Sequence, residues 1–169
     1  MPTGWRTRRW TGGRAICDWL FVIRDLTTVT GLPTFGSRLA GVKYIVRPSG
    51  YALLRDRDGN VAVVLTPEGN FLPGGGIDPG ETPEQAVARE CAEECGFAVR
   101  VGRLVGEAVQ FGWSIKEQVF FEKRCSFFEA EVVGAAASTE VDHELVWLAP
   151  ERAARIMYHE SHGWAIRRV

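Results

Sequence analysis

Residues 75–97 read GGIDPGETPEQAVARECAEECGF, and three acidic residues of this stretch share one side of a predicted helix. Glu90, Glu93 and Glu94 are spaced i, i+3 and i+4, which places their side chains on one helical face. Like charges at such spacings destabilise an isolated helix, and a cation between them would offset the repulsion. The spacing therefore indicates a cation site. A solvated acidic face is the alternative that the three carboxylates alone leave open.

The two ends of this helix are also marked in the sequence. Thr82 suits the N-cap position, Pro83 suits the first helical position, and Gln85 completes a capping box with Thr82. Gly96 lies where a helix commonly ends in a left-handed residue. The glycines at 74–76 precede the helix and allow the backbone to approach a ligand closely. A glycine-rich loop before an acidic helix suits Mg²⁺, which prefers oxygen ligands and is held by a few carboxylates together with substrate phosphates.

The spacing of the residues in this stretch resembles the Nudix box, G-x5-E-x7-R-E-U-x-E-E-x-G-U, in which U is a bulky apolar residue. The matching positions are Gly75, Glu81, Arg89, Glu90, Glu93, Glu94 and Gly96. The one departure is Cys91 at a U position, which a buried cysteine can fill as a small hydrophobic side chain. The chain is therefore similar to Nudix hydrolases of the MutT type, and the resemblance extends from about Tyr44 onwards.

The resemblance implies an α/β fold, a Nudix-type α/β/α sandwich with a mixed sheet, the box helix and a C-terminal helix. The pattern of β-rich segments agrees with this fold. Strands are predicted at 42–47, 51–54, 61–65, 98–101, 104–111, 119–121, 127–133 and 145–148, and further helices at 150–159 and around 164–166. Asp58-Gly59 predicts a hairpin between the second and third strands, and 111–116 is predicted as a loop.

Two regions of different character divide the chain. Residues 35–169 would form the Nudix domain, and residues 1–34 would be an N-terminal extension that is either disordered or not native. With 169 residues and a net charge of −1, the chain fits one domain and gives no electrostatic reason to expect nucleic acid or a membrane as a partner. It contains no apolar run long enough to predict a transmembrane helix.

The number and spacing of the cysteines indicate whether the protein is found in a reducing or an oxidising cellular compartment. The four cysteines are Cys17, Cys91, Cys95 and Cys125. Because the chain is neither short nor rich in cysteine, we expect free thiols in a reducing cytosol rather than a disulfide framework. A cytoplasmic protein is therefore predicted.

The resemblance also implies a metal site and assigns its residues. The metal ligands would be Glu90, Glu93, Glu94 and the backbone carbonyl of Gly74. The structural residues of the motif would be Gly75, Glu81, Arg89 and Gly96. Glu81, paired with Arg89, would hold the geometry of the loop and the helix. The implied cofactor is Mg²⁺, with Mn²⁺ as a substitute.

The implied reaction is the attack of water on a phosphorus of a nucleoside diphosphate linked to another group. A metal ion would neutralise the phosphate oxygens and activate the water. Glu90 or Glu94 could take the proton as general base, and the sequence does not choose between them. The family also often uses an acid from a later loop, where Glu140, Asp142 and Glu144 precede the last strand. Of these three, Glu144 is the predicted catalytic residue.

Substrate contacts are less clearly marked. Trp113 could stack on a base, with packing on the protein as the alternative. Lys116 and Arg47 could contact phosphates, or could be solvated surface residues. The proline typical of ADP-ribose hydrolases, the SQPWPFPxS array of NADH hydrolases and the tyrosine of some dinucleoside-polyphosphate hydrolases are absent. Their absence favours a MutT-like nucleoside triphosphate substrate or a general house-cleaning role. Family members are frequently dimers, so a homodimer is an open expectation.

Two alternative functions fit the same fold. The first is a nucleotide-sensing or regulatory protein without turnover, although a pure binder would not need all three helix carboxylates and Glu81. The second is an enzyme with non-hydrolytic chemistry, such as isomerisation of an isoprenyl diphosphate. That reaction would call for a cysteine in a pocket beside a strand, and Cys125 is the one candidate in the predicted domain.

Overall fold

The computed structural model describes residues 31–139 and 142–169, and two β-sheets organise them. The strands are β1 (Thr34–Phe35), β2 (Tyr44–Leu54), β3 (Val61–Thr66), β4 (Gly69–Phe71), β5 (Gly74–Gly76), β6 (Phe97–Ser114), β7 (Val119–Ala135) and β8 (Glu144–Leu148). The helices are α1 (Pro83–Cys95), α2 (Pro150–Ile156) and α3 (Glu160–Ile166). Within the described ranges, no helix has the length and hydrophobicity needed to cross a membrane.

The larger sheet is mixed, as predicted. Its strand order is β1-β6-β7-β2-β5, and the smaller sheet has the order β4-β3-β8. The pairs β1–β6 and β2–β7 are parallel, whereas β6–β7 and β2–β5 are antiparallel. The α/β prediction is confirmed.

Helices cover both faces of the sheets because the side chains of each strand alternate between the two faces. In β2, Ala52 and Leu54 pack with Val87 of α1. The alternate residues Tyr51 and Leu53 belong to a second apolar cluster that contains residues of α2 and α3. The sheets therefore lie between α1 on one face and the C-terminal helices on the other, which is the predicted sandwich.

The long β6–β7 hairpin differs from the prediction of four short strands. Pairing continues from Phe97↔Ala135 to Ser114↔Val119, with register shifts between Val101 and Leu104 and between Leu104 and Gly106. These bulges interrupt the alternation of apolar residues without ending the ladder, so the pattern suggested separate strands. The predicted loop at 111–116 is shorter than expected, because β6 runs to Ser114 and the turn begins at residue 115.

Strand β2 passes through Pro48, where the sequence predicted a break. Proline has no N–H to donate to a ladder. Its carbonyl oxygen nevertheless accepts a hydrogen bond of 3.1 Å from the Ile77 N–H, and β2 pairs in parallel with β7 along its whole length. The predicted Asp58-Gly59 turn is present, but its strands do not form a hairpin. Strands β2 and β3 lie in different sheets, and an isolated bridge between Arg55 and Val61 joins their ends.

The predicted helix at 150–159 ends three residues early, at Ile156. The Tyr158 N–H donates to the Asn70 carbonyl at 2.9 Å, and the Asn70 side-chain amide donates to the Ile156 carbonyl at 3.0 Å. These bonds to β4 occupy backbone groups that a continuous helix would use, so α2 ends at Ile156 and α3 begins at Glu160. The short helix predicted around 164–166 is present as the end of α3.

The N-terminal boundary and the cysteines can be compared with the prediction only in part. Strand β1 begins at Thr34, and the Pro33 carbonyl accepts a hydrogen bond from Val109, so the larger sheet includes the last part of the predicted extension. Residues 1–30, and with them Cys17, lie outside the described residues. The described cysteines are free: Cys91, Cys95 and Cys125.

Gly50 sets how closely α1 approaches β2. A Cβ atom at this position would lie 2.7 Å from the Pro83 carbonyl oxygen and 3.0 Å from a methyl group of Val87. We expect Gly50→Ala to lower the free energy of unfolding by about 1–3 kcal/mol, because the helix must shift to make room. Denaturant unfolding followed by circular dichroism measures the change.

The matched control is Gly134→Ala, where the nearest atom to the added Cβ would be the Ala98 Cβ at 3.8 Å. This variant should lose much less stability. Equal losses in Gly50→Ala and Gly134→Ala would contradict the close approach of α1 to β2.

Candidate active site

Helix α1 is fixed at both ends by the predicted caps. The Thr82 hydroxyl accepts from the Gln85 N–H at 3.3 Å, and the Thr82 N–H donates to the Gln85 side chain at 2.8 Å. Gly96 has a φ of 67°, and its N–H donates to the Ala92 carbonyl at 3.0 Å. The caps thus fix where the helix begins and ends, so that the three acidic residues lie within its regular part.

The guanidinium group of Arg89 lies among the carboxylates of the motif. Its Nε and Nη2 donate to the two oxygens of Glu81 at 2.8 and 3.1 Å. Its Nη1 donates to Glu90 at 2.9 Å and to Glu93 at 3.1 Å, and Nη2 also donates to the Gly76 carbonyl at 3.0 Å. These bonds raise the pKa of Arg89 and lower the pKa of Glu81. Arg89 therefore ties the glycine loop to the helix.

Glu94 extends from the helix to β5 and to the residue before β8. The Gly74 N–H donates to one oxygen of Glu94 at 2.9 Å, and the other oxygen lies 3.3 Å from Nδ1 of His143. Gly74 has a φ of 135°, and an added Cβ would overlap the Gly50 carbonyl oxygen. Only glycine can therefore bring its backbone to this carboxylate.

Glu90 is one of the two acids of the site with little exposure to solvent. Its side chain is only 18% exposed, and burial raises its pKa even though Arg89 acts in the opposite direction. The added Cβ of any residue other than glycine at position 75 would overlap the Glu90 carboxylate. The glycine loop thus lies directly against the acidic face of α1.

The donor atoms of this face fit a hard divalent cation. Three carboxylates and backbone carbonyls supply oxygen only, and the cation would compensate the burial of Glu90. In the described ranges, however, no three His, Cys, Asp or Glu side chains are already arranged around one metal position. Arg89 holds one oxygen each of Glu90 and Glu93, and Glu94 bonds to Gly74. Metal binding would therefore require these carboxylates to turn.

The predicted later-loop acid lies apart from this face. Glu144 is exposed and begins β8 rather than lying in a loop. It pairs with Leu65, which packs with the cluster on the α2 and α3 side, whereas the next residue, Leu145, packs with the α1 side. The residue of this segment that approaches the acidic face is His143, which alternates with Leu145 and was not predicted. Glu140 lies outside the described residues.

The three predicted substrate contacts are dispersed. Trp113 belongs to β6, and its ring packs against Phe120 at 4.6 Å. In the strand register, Phe120 lies opposite Tyr44, the first residue of β2, whereas Gly76 of the glycine loop lies opposite Ser49, further along the same strand. Trp113 is therefore away from the glycine loop. Lys116 lies in the exposed turn of the same hairpin.

Arg47 lies nearer to the acidic face than Trp113 and Lys116. It forms an ion pair with Glu117. It also lines a cleft of about 350 Å³ together with Gly76, Ile77 and Lys123. Lys123 was not predicted, although a lysine at an inward-facing position of an apolar strand is a signal that the sequence carries.

Comparison with known proteins identifies the family. The family model of the NUDIX domain matches residues 46–169 of this chain. A putative 8-oxo-dGTP diphosphatase of Bacillus subtilis (strain 168) is 28% identical over 88 residues, which cover 51% of this chain and 54% of that protein. The chain thus spans about half the length of this curated relative.

Solved structures agree with the fold. The MutT protein from Methanosarcina mazei Go1 has a TM-score of 0.59 and 23% identity, and the match covers 75% of this chain and 94% of that chain. A NUDIX hydrolase from Nitrosomonas europaea has a TM-score of 0.58 and 18% identity, with 73% and 88% of the two chains covered. At these identities the likeness is one of fold.

The bonds of Arg89 give a prediction about stability. In Arg89→Lys the positive charge is kept, but an ammonium group cannot reach Glu81, Glu90, Glu93 and the Gly76 carbonyl at the same time. We expect the free energy of unfolding in metal-free buffer to fall by about 1–2 kcal/mol. The control is Arg100→Lys, since Arg100 and Glu131 form an exposed surface pair. The denaturation midpoint of this control should hardly change, and equal losses in the two variants would argue against the role given to Arg89.

Proposed function

Because the chain belongs to the NUDIX domain family, we propose that it is a metal-dependent pyrophosphohydrolase acting on a nucleoside diphosphate linked to another group. The observation that carries the proposal is the group of carboxylates on one face of α1. Glu94 accepts a hydrogen bond from Gly74, where an added Cβ would overlap the backbone of β2, and the carboxylate of Glu90 lies directly against Gly75. Such a surface suits a cation and the phosphate groups that accompany it.

In this proposal the metal ligands are Glu90, Glu93, Glu94 and the backbone carbonyl of Gly74. The bound ion, Mg²⁺ or Mn²⁺, would supply positive charge to the phosphate oxygens and to the attacking water. Arg89 and Glu81 would keep the loop and the helix together while the carboxylates turn. The catalytic domain would comprise residues 35–169, with residues 1–34 as an extension.

The reaction would be a hydrolysis. The oxygen of water forms a bond to phosphorus, the bond from that phosphorus to the bridging oxygen breaks, and the leaving phosphate group carries the bridging oxygen away. A carboxylate of the site takes the proton of the water, and Glu90 and Glu94 are the two candidates. Glu144, the first residue of β8, remains a predicted participant.

A nucleoside triphosphate is the substrate class that we propose. Two observations support it. The sequence lacks the marker residues of the ADP-ribose, NADH and dinucleoside-polyphosphate hydrolases. The curated relative from Bacillus subtilis is named a diphosphatase of the nucleoside triphosphate 8-oxo-dGTP. The cleft lined by Arg47 would provide room for part of such a ligand.

A phosphate-release screen tests the proposal. The purified protein would be offered nucleoside triphosphates, dinucleoside polyphosphates, nucleotide sugars and ADP-ribose, each with Mg²⁺ or Mn²⁺. We expect turnover of nucleoside triphosphates, and we expect Glu93→Gln to lower kcat/KM by about a hundredfold or more, because a metal ligand is lost. Calorimetry should show weaker Mg²⁺ binding in the same variant.

The matched control is Glu129→Gln. Glu129 is half-exposed and pairs with Arg103 on the surface of the long hairpin, so both turnover and Mg²⁺ affinity should stay at the level of the unsubstituted protein. No turnover on any substrate class, with Mg²⁺ still bound, would contradict the hydrolase and favour a nucleotide sensor. Unchanged Mg²⁺ affinity in Glu93→Gln would show that the metal site is assigned wrongly.

A further inference from the structure

Lys123 occupies an inward-facing position of β7. The alternate residues on both sides of it, Phe121, Cys125 and Phe127, are buried and apolar. Its Nζ donates a hydrogen bond of 3.2 Å to the Tyr51 hydroxyl and lies 5.6 Å from the centre of the Phe121 ring. The side chain is partly buried in this position, and burial lowers the pKa of its ammonium group.

Among the described residues, no carboxylate forms a direct ion pair with this ammonium group. Burial and the charge of Arg47 lower its pKa, and the charge of Glu94 acts in the opposite direction. Arg47 is its partner in the β2–β7 register and adds a second positive charge. His159 and His162 are close enough for its charge to act on them, and burial lowers the pKa of both, that of His159 to about 3. Both imidazoles are therefore neutral at ordinary pH, and neither compensates the lysine.

Lys123 is also connected to the proposed catalytic site. Together with Arg47 and Gly76 it lines the cleft beside β5. The Tyr51 hydroxyl, which accepts its hydrogen bond, is under the influence of the charges of Glu94 and Glu90. The cationic pair lies on the side of the sheet that faces α2 and α3, the carboxylates of α1 lie on the other side, and the glycine loop borders both.

We propose that the Lys123 ammonium group binds a phosphate oxygen of the nucleotide substrate in the cleft between β2, β5 and β7. This inference rests on the proposed function and adds a recognition residue that holds the phosphate chain directly rather than through a metal ion. A phosphate oxygen would replace the lost hydration with a charge-assisted hydrogen bond, and its negative charge would offset the repulsion between Lys123 and Arg47.

A lysine that serves only packing would behave differently from a lysine that binds an anion. If the contacts with the Tyr51 and Phe121 rings were its whole role, Lys123→Met would lower stability and leave anion binding unchanged. If it binds phosphate, methionine fills much of the same space and removes a positive charge that has no direct ion-pair partner among the described residues. Stability is then kept or increased while anion binding is lost.

Calorimetry with imidodiphosphate and Mg²⁺ tests this inference on the full chain. Imidodiphosphate has nitrogen in place of the bridging oxygen and resists hydrolysis, so binding is measured without turnover. We expect Lys123→Met to weaken its binding by about ten- to a hundredfold, as for a lost hydrogen bond between charged groups. Lys123→Arg should restore much of the affinity. In turnover assays with the nucleotide hydrolysed by the unsubstituted protein, Lys123→Met should raise KM more than it lowers kcat.

Arg124→Met is the matched control, because Arg124 is the next residue, is exposed and pairs with Glu122. It should bind imidodiphosphate like the unsubstituted protein. The inference would be overturned by unchanged affinity in Lys123→Met, by a clear loss of thermal stability in that variant, or by an unsubstituted protein that does not bind imidodiphosphate.

The two proposals fail in distinguishable ways. A protein that hydrolyses nucleotides and loses this activity in Glu93→Gln, but binds imidodiphosphate equally well with methionine at position 123, would overturn only the role of Lys123. A protein that binds imidodiphosphate through Lys123 and hydrolyses no nucleotide would overturn only the hydrolase.

Discussion

The bonds between one guanidinium group and three carboxylates are the constraint on which this structure depends. Helix α1 carries an acidic face that would repel itself, and Arg89 supplies the positive charge that allows the face to form without a metal ion. Because the same group bonds to the Gly76 carbonyl, it also sets the distance between the helix and the glycine loop. One residue thus couples the electrostatics of the site to its shape.

This coupling explains why the site tolerates buried acids. A carboxylate with little exposure is costly unless it is paired and hydrogen-bonded, and Glu90 remains partly uncompensated. A divalent cation would add the missing charge once the carboxylates of Glu90 and Glu93 turn toward it. The partly buried cation Lys123 presents the opposite charge on a neighbouring surface. A phosphate chain together with its metal ion has both signs of charge and would balance both surfaces.

Much of the helix and its loop could be predicted from the sequence, because their determinants are local. Thr82, Gln85 and Gly96 act within a few residues of themselves, and the spacing of the acids follows directly from the helical period. The strand boundaries at Pro48 and Leu104 could not be predicted, since they depend on partners that are distant in the chain. For the same reason, the division between α2 and α3 depends on bonds from Asn70.

The site itself was predictable only where it belongs to the motif. His143 and Lys123 approach the acidic face and the cleft through strand pairing, and neither of them belongs to the motif. Glu144 was preferred because acids in later loops are common in the family. Because successive residues of a strand point to opposite faces, Glu144 points to the side of α2 and α3, whereas its neighbour His143 points to the side of α1.

The parallel pairing of β2 with β7 has a consequence for how the molecule folds. Helix α1 lies in the long connection between these strands, so the acidic face and the cationic cleft come together only after a pairing between distant parts of the chain has closed. Such pairings form slowly, because the entropy of closing a long loop is lost before the contacts are gained. A chain that has formed only α1 therefore has neither the complete acidic site nor the complete cleft, because both need the pairing of β2 with β7. A nucleotide that binds at both would favour the folded arrangement in which they meet.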